Sequence, residues 1–125
     1  MILVDSSIWM DHFRKQNTNL ISLLERDEVC IHPFVIGEVA CGNLKNRKEI
    51  IALLHALPDV QKADDDEILF FIERHHLNGL GVGLIDTHLL AACLMARCRL
   101  WTADKRLQGV VREMHIEYSP RSSAG

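Results

Sequence analysis

The sequence predicts an α/β fold with a mostly parallel sheet. Short runs of consecutive apolar residues are typical of strands that are buried on both faces. These runs alternate along the chain with segments whose apolar residues recur at helical spacing, which is the order expected of α/β proteins. Acidic and hydroxyl residues follow the first and last of the clear strand candidates, where open α/β sheets bind their ligands.

The first half of the chain supplies two strand candidates. Ile2 to Val4 form an apolar run, after which Ser6 or Ser7 is expected to cap the first helix. The next predicted elements are a helix over 20–26, a strand over 29–31, a helix from Pro33 that stops at Gly42, and a helix over 49–57 that Pro58 ends.

The second half is predicted to be mostly helical. The acidic run 64–66 precedes a helix over 67–76, and the carboxylates suit its positive N-terminal end. The glycines of 78–83 do not form GxGxxG and follow no strand, so no nucleotide cofactor is expected. The remaining predictions are a brief strand near Val60, a helix over 84–96, a strand over 99–102, a helix from Lys105 and a short strand over 116–118.

Size and composition predict one soluble domain. The 125 residues are 48% hydrophobic and 25% charged, which is ordinary for a globular protein. We expect a single domain over 1–118 and a short flexible tail over 119–125. No apolar run reaches the ~20 residues that a membrane span needs, and no signal peptide is recognisable, so a cytoplasmic protein without membrane contact is expected.

The cysteines and histidines do not form a zinc motif. The four cysteines contain no CxxC pair, and the seven histidines contain no HExxH. Buried free thiols are expected, and zinc is not.

Four acidic residues are predicted to meet at one edge of the sheet. Asp5 ends the first strand, Glu38 lies within an apolar helix, Asp86 opens the long apolar helix, and Asp104 ends the following strand. About twelve helical residues lead ~18 Å away from Asp86, and four or five strand residues return ~13–17 Å towards Asp104. Asp86 and Asp104 are therefore expected at the same end of the sheet as Asp5.

Four adjacent carboxylates require protons or a cation. Two unit charges ~4 Å apart repel by about 4 kcal/mol at an effective dielectric near 20. An all-oxygen site suits Mg²⁺ or Mn²⁺, which activate water and stabilise phosphodiester hydrolysis. Asp5 and Asp104 are the candidate direct ligands, and Glu38 and Asp86 could complete the shell. Thr102 could donate its hydroxyl to a carboxylate or to a metal-bound water.

Four segments carry a family resemblance. They are Met1-Ile-Leu-Val-Asp5-Ser-Ser-Ile-Trp-Met-Asp11, Ile36-Gly-Glu38, Gly83-Leu-Ile-Asp86-Thr-His-Leu-Leu-Ala-Ala92 and Leu100-Trp-Thr102-Ala-Asp104-Lys-Arg-Leu107. In this order they closely resemble a PIN-domain protein of the VapC toxin type, over residues 1 to about 108.

The resemblance implies a three-layer α/β/α sandwich and a Mg²⁺- or Mn²⁺-dependent endoribonuclease. It further implies the toxin half of a bacterial toxin–antitoxin pair, usually a homodimer, with a cognate antitoxin that reaches an Arg or Lys into the acidic pocket. The acidic positions of the family correspond to Asp5, Glu38, Asp86 and Asp104, and its hydroxyl positions to Ser6 and Thr102. Some relatives carry a further acid where Lys105 and Arg106 stand here, so the number of metals stays open.

A nuclease of this kind needs positively charged side chains near its acidic pocket, because these attract the RNA backbone. Loop residues that could contact RNA phosphates without reading sequence are Arg14, Lys15, Lys45, Arg47, Lys48, Lys105 and Arg106. Each could equally belong to an ordinary solvated surface. The formal net charge of −3 becomes +1 when the four site acids are set aside, so net charge does not exclude RNA binding.

Other functions fit the sequence less well. A response-regulator receiver needs a second acid beside Asp5, where two serines stand, and a haloacid-dehalogenase-like phosphatase needs an acid in place of Ser7. The alternative that stays open is a non-catalytic binding module whose acidic pocket docks a basic partner segment.

Overall fold

The computed structural model describes residues 1–120, in which seven helices surround a short parallel sheet. The elements in chain order are β1 (Ile2–Val4), α1 (Ser6–Arg14), α2 (Thr18–Glu25), β2 (Val29–Cys30), α3 (Pro33–Ala40), α4 (Arg47–His55), α5 (Asp65–Arg74), α6 (Leu84–Ala96), β3 (Arg99–Trp101) and α7 (Lys105–Glu113).

The sheet has the order β2-β1-β3, and both pairings are parallel. In its register Leu3 lies opposite Cys30 on one side and Leu100 on the other. The predicted α/β fold with a parallel sheet is thereby confirmed. The strands predicted near Val60 and over 116–118 are reduced to single parallel bridges, Ile31 with Asp59 and Leu100 with Glu117.

The core lies around the central strand β1. Leu3 and Val4 are fully buried, as are Trp9 of α1 and Leu100 of β3. Helix α6 is buried from Thr87 to Cys93, which agrees with its almost continuous apolar sequence. Burial of β1 on every side fixes the position of Asp5, the residue that follows it.

Four helix starts differ from the prediction. Helix α2 begins at Thr18, because the Asn17 side chain caps it by accepting from the Leu20 N–H at 3.0 Å. The N-cap of α1 is Asp5, whose carboxylate accepts from the Ser6 N–H, because an aspartate caps a helix as well as a serine does. Helix α4 begins at Arg47, after Asn46. Helix α5 begins at Asp65, because Asp64 and Glu67 form a reciprocal capping box that starts the helix earlier.

The turn after α6 returns the chain to the sheet. Arg97 takes the left-handed conformation with φ 55°, and the Cys98 N–H donates to the Cys93 carbonyl at 3.0 Å. This closure ends the helix within one turn. Strand β3 can therefore run straight back to the edge at which α6 began.

The cysteines within residues 1–120 are free thiols, as expected. Cys30, Cys93 and Cys98 are buried, whereas the expectation of burial is wrong for Cys41, which follows the end of α3 and is exposed.

The described residues contain no helix long and apolar enough to cross a membrane. Residues 121–125 of the predicted tail lie outside the described part of the chain. The domain boundary at 118 stays a prediction.

Candidate active site

A pocket of about 270 Å³ lies at the carboxyl edge of the sheet. Its walls are formed by Asp5, Ser6, Ser7, Met10, Glu38, Asp86 and Asp104. The structure thus brings the four predicted acids together, although they come from four separate parts of the chain.

Asp5 is the most firmly held of these acids. Its Oδ1 accepts from the Ser6 backbone N–H at 2.7 Å, and its Oδ2 accepts from Ser7 Oγ and Thr102 Oγ1, both at 2.8 Å. The side chain is 5% exposed. These hydrogen bonds compensate the burial of a charge and fix the direction of the carboxylate.

Thr102 links Asp5 to Asp104. The Thr102 hydroxyl donates to Asp5 and accepts from the Asp104 backbone N–H at 3.1 Å. Asp104 in turn caps α7, since its Oδ1 accepts from the Leu107 N–H at 3.0 Å. Thr102 is buried and does not line the pocket, so in this structure it positions the carboxylates from behind.

Glu38 reaches the pocket from the side of α3. Its Oε1 accepts from Ser6 Oγ at 3.0 Å, which gives the predicted supporting hydroxyl a defined partner. Burial raises the pKa of Glu38, and the neighbouring charge of Asp5 raises it further, while the Ser6 hydrogen bond opposes both effects.

Asp86 lies in the first turn of α6. Burial and the nearby carboxylates, Asp5 first among them, raise the pKa of Asp86 to about 6. The pocket is therefore short of positive charge.

The donor set fits a hard divalent cation. The four carboxylates and the adjacent hydroxyls offer only oxygen, the ligand preferred by Mg²⁺ and Mn²⁺. As the side chains lie, however, no three acidic, histidine or cysteine residues in the range 1–120 are grouped to hold a metal ion. Mutual repulsion of uncompensated carboxylates favours such separation, and a cation would remove it. The ligand roles stay predictions.

The prediction from sequence omitted two residues of the pocket wall. Ser7 lines the pocket, donates to Asp5 and accepts from the Ala103 N–H at 3.1 Å, so it joins the segments after β1 and β3. A hydroxyl two residues after the strand-end aspartate was the available signal. Met10 lies one helical turn beyond Ser6, and that spacing alone could have placed it on the same wall.

The predicted RNA-approach residues do not line the acidic pocket. Arg14 and Lys45 border a neighbouring groove, and Arg14 is ion-paired with Asp11. The Arg106 side chain lies over Gly81, with Nη1 2.8 Å from the position that a Cβ would take there. Lys15, Arg47, Lys48 and Lys105 are exposed.

Known proteins resemble the chain along nearly its full length. A family model described as PIN domain matches residues 2–113. Two relatives named Ribonuclease VapC32, from Mycobacterium tuberculosis strains CDC 1551 / Oshkosh and ATCC 25618 / H37Rv, are each 41% identical over 117 residues, which cover 93% of this chain and 94% of each relative.

Proposed function

The chain belongs to the PIN-domain family, as its four motifs predicted, and from this premise we propose that it is a metal-dependent endoribonuclease of the VapC type. The observation that carries the proposal is the shared pocket of Asp5, Glu38, Asp86 and Asp104 at the carboxyl edge of the sheet. Hydrolysis of RNA phosphodiester bonds is the reaction that this site, with a divalent cation, supports best.

Asp5 and Asp104 are the proposed direct metal ligands, with Glu38 and Asp86 completing the shell. When bound, Mg²⁺ or Mn²⁺ would neutralise the acids, lower the pKa of a water molecule and stabilise negative charge on the phosphate. Hydrogen bonds to Asp5 hold its carboxylate in one direction before any ligand arrives. We propose that Glu38, which has a raised pKa and accepts a hydrogen bond from Ser6, also orients the attacking water.

The same acidic pocket supports the proposed inhibition by a cognate antitoxin. An Arg or Lys of the partner would satisfy carboxylates that are otherwise short of positive charge. The inserted cation would also occupy the space of the metal. We therefore propose the toxin role in a bacterial cytoplasmic toxin–antitoxin pair, with RNA and the antitoxin competing for one site.

The proposed homodimer has a candidate surface on α5 and α6. Leu69, Phe70 and Met95 are 62%, 70% and 47% exposed, although all three are large and apolar. Phe70 and Met95 line one surface cavity, and Leu69 precedes Phe70 on α5. Exposed apolar side chains of this kind favour burial against another protein surface, and a second copy matches the family's usual assembly. Phe70→Glu is expected to convert a dimer to monomers in analytical ultracentrifugation, whereas Leu53→Glu, on the exposed part of α4, is the control.

Cleavage of RNA tests the nuclease proposal. Purified protein free of antitoxin is incubated with total bacterial RNA in Mg²⁺, Mn²⁺ or EDTA, beside Asp104→Asn and the exposed-surface control Asp66→Asn. Defined fragments that need the metal, persist in Asp66→Asn and vanish in Asp104→Asn are expected. Intact RNA with a folded protein in every metal condition would favour the binding module instead.

A further inference from the structure

A second cavity adjoins the acidic pocket. It has a volume of about 520 Å³ and lies between α1 and the loop that connects α3 to α4. Met10 forms part of the wall of both cavities. A chain held at the acidic pocket would reach this space, which we call the α1 groove, by passing over Met10.

The walls of the α1 groove combine apolar surface with positive charge. Phe13, Leu44 and Ile50 are partly buried and supply the apolar part, while Arg14 and Lys45 are exposed at its border. Arg14 shares its charge with Asp11, but Lys45 has no acidic partner in the described chain. An aromatic and aliphatic wall beside cations suits a nucleobase joined to a phosphate.

Asn46 gives the groove a polar group that the fold leaves unused. Asparagine is among the best N-caps, and Asn46 stands at the N-cap position of α4, yet its side chain makes no capping hydrogen bond. Its backbone is left-handed, with φ 56°. The exposed amide of Asn46, which lines the groove, can both donate to and accept from the edge of a base.

We propose that the α1 groove binds one unpaired base of the RNA, next to the phosphate that lies at the acidic pocket. The inference deepens the proposed nuclease function, on which it rests. The base must be unpaired, because a base within a duplex is stacked on both faces and presents its edge to its partner strand. The groove thus favours an unpaired base at one position beside the cut.

Binding without cleavage tests the groove independently of the nuclease activity. A fluorescein-labelled oligoribonucleotide of mixed sequence and a series with a single abasic residue at successive positions are titrated in Ca²⁺, a hard cation that neutralises the carboxylates, and followed by fluorescence anisotropy, with the oligonucleotide confirmed intact on a gel. We expect one abasic position to weaken binding about 10-fold, the effect of losing one stacked base. The same sequence as a duplex should bind more weakly than the single strand.

Asn46→Gly is the diagnostic variant, since glycine keeps the left-handed backbone and removes only the amide. In Asn46→Gly and in Phe13→Leu, the loss of affinity caused by that abasic residue, which we call the abasic penalty, should be smaller than in the wild type. Asn19→Ala, which removes an exposed amide on α2, should leave the penalty unchanged. If the penalty is the same in the wild type, Asn46→Gly and Phe13→Leu, the base lies elsewhere and the proposal is wrong.

The outcomes also separate the two proposals. If RNA is cleaved but Asn46→Gly does not change the effect of the abasic residue, the nuclease proposal stands and the groove proposal is wrong. If Asn46→Gly reduces the effect of the abasic residue in Ca²⁺ but no RNA is cleaved in Mg²⁺ or Mn²⁺, the groove proposal stands and the nuclease proposal is wrong. Duplex RNA that binds as tightly as the single strand would overturn the groove proposal. An apolar partner peptide that binds in the groove without competing with RNA would overturn it as well.

Discussion

The acidic pocket has two unlike sides. On one, which we call the fixed side, Asp5 and Asp104 are joined through Thr102 and through the Ser7 bridge to Ala103. On the other, the open side, Glu38 and Asp86 are half-buried, and each has a raised pKa. The fold thus satisfies the charge of Asp5 by itself, whereas the open side lacks positive charge that a ligand could supply.

The largest expected effect comes from the fixed side. Asp5→Asn removes one negative charge at nearly constant volume, so RNA cleavage should fall by more than the roughly 10- to 100-fold typical of losing a partner that supports a metal ligand. The thermal midpoint should fall by a few degrees at most: the amide oxygen can still cap α1, while the Ser7 and Thr102 hydroxyls lose their carboxylate acceptor. Initial rates and melting curves of the same preparation measure both. Cleavage near the wild-type rate would remove Asp5 from the site.

Thr102→Val tests whether the fixed side depends on its link. Valine has nearly the same shape but cannot donate to Asp5 or accept from the Asp104 N–H. We expect about a 10- to 100-fold loss of cleavage and about 1–3 kcal/mol lower free energy of unfolding, because a buried polar group loses its partner.

Thr102→Ser is the matched control for this link. It keeps the hydroxyl and should restore most of the activity. Equal loss in the serine and valine variants would mean that the methyl packing of Thr102, rather than its hydroxyl, supports the site.

Asp86→Asn should have opposite effects on stability and activity. Because the pKa of Asp86 is raised from 3.8 to about 6, folding becomes less favourable as pH rises from about 4 through 6. In EDTA at pH 8, removing this charge should stabilise the protein by about 1 kcal/mol, less than the full pKa shift implies because the carboxyl is partly solvated. At pH 4 the gain should largely vanish.

Chemical denaturation at the two pH values measures this dependence, with Asp66→Asn as the exposed control. RNA cleavage by Asp86→Asn should fall at the same time. A variant that is less stable than the wild type in EDTA at pH 8 would contradict the unfavourable charge on the open side.

Ser6→Ala should give the smallest effect. It removes the hydroxyl that donates to Glu38 at 3.0 Å and, at a longer 3.4 Å, to Asp5 Oδ1, but leaves the Ser6 backbone N–H on Asp5. A partly exposed hydroxyl contributes about 0.5–1.5 kcal/mol at most, so a cleavage loss of less than about 10-fold is expected. A loss as large as that of Asp5→Asn would show that the two sides are not distinct.

The sequence predicted that Asp86 and Asp104 lie at the same edge as Asp5, because the lengths of α6 and β3 determine where the chain returns. It also predicted the buried strand before Asp5 from three consecutive apolar residues. Ser7 was not predicted as part of the site, since its bonds to Asp5 and Ala103 depend on how β1 and β3 lie side by side. The unused amide of Asn46 could not be foreseen either, because an asparagine before a helix ordinarily predicts a cap.

Metal binding tests the relation between the two sides most directly. Isothermal titration of the metal-free protein with Mn²⁺ is compared among the wild type, Asp5→Asn, Asp86→Asn and the control Asp66→Asn. If the fixed and open sides share one cation, Asp5→Asn and Asp86→Asn should each weaken Mn²⁺ binding strongly, while Asp66→Asn should bind as the wild type does. Equal Mn²⁺ affinity in all four proteins would contradict a metal site in this pocket.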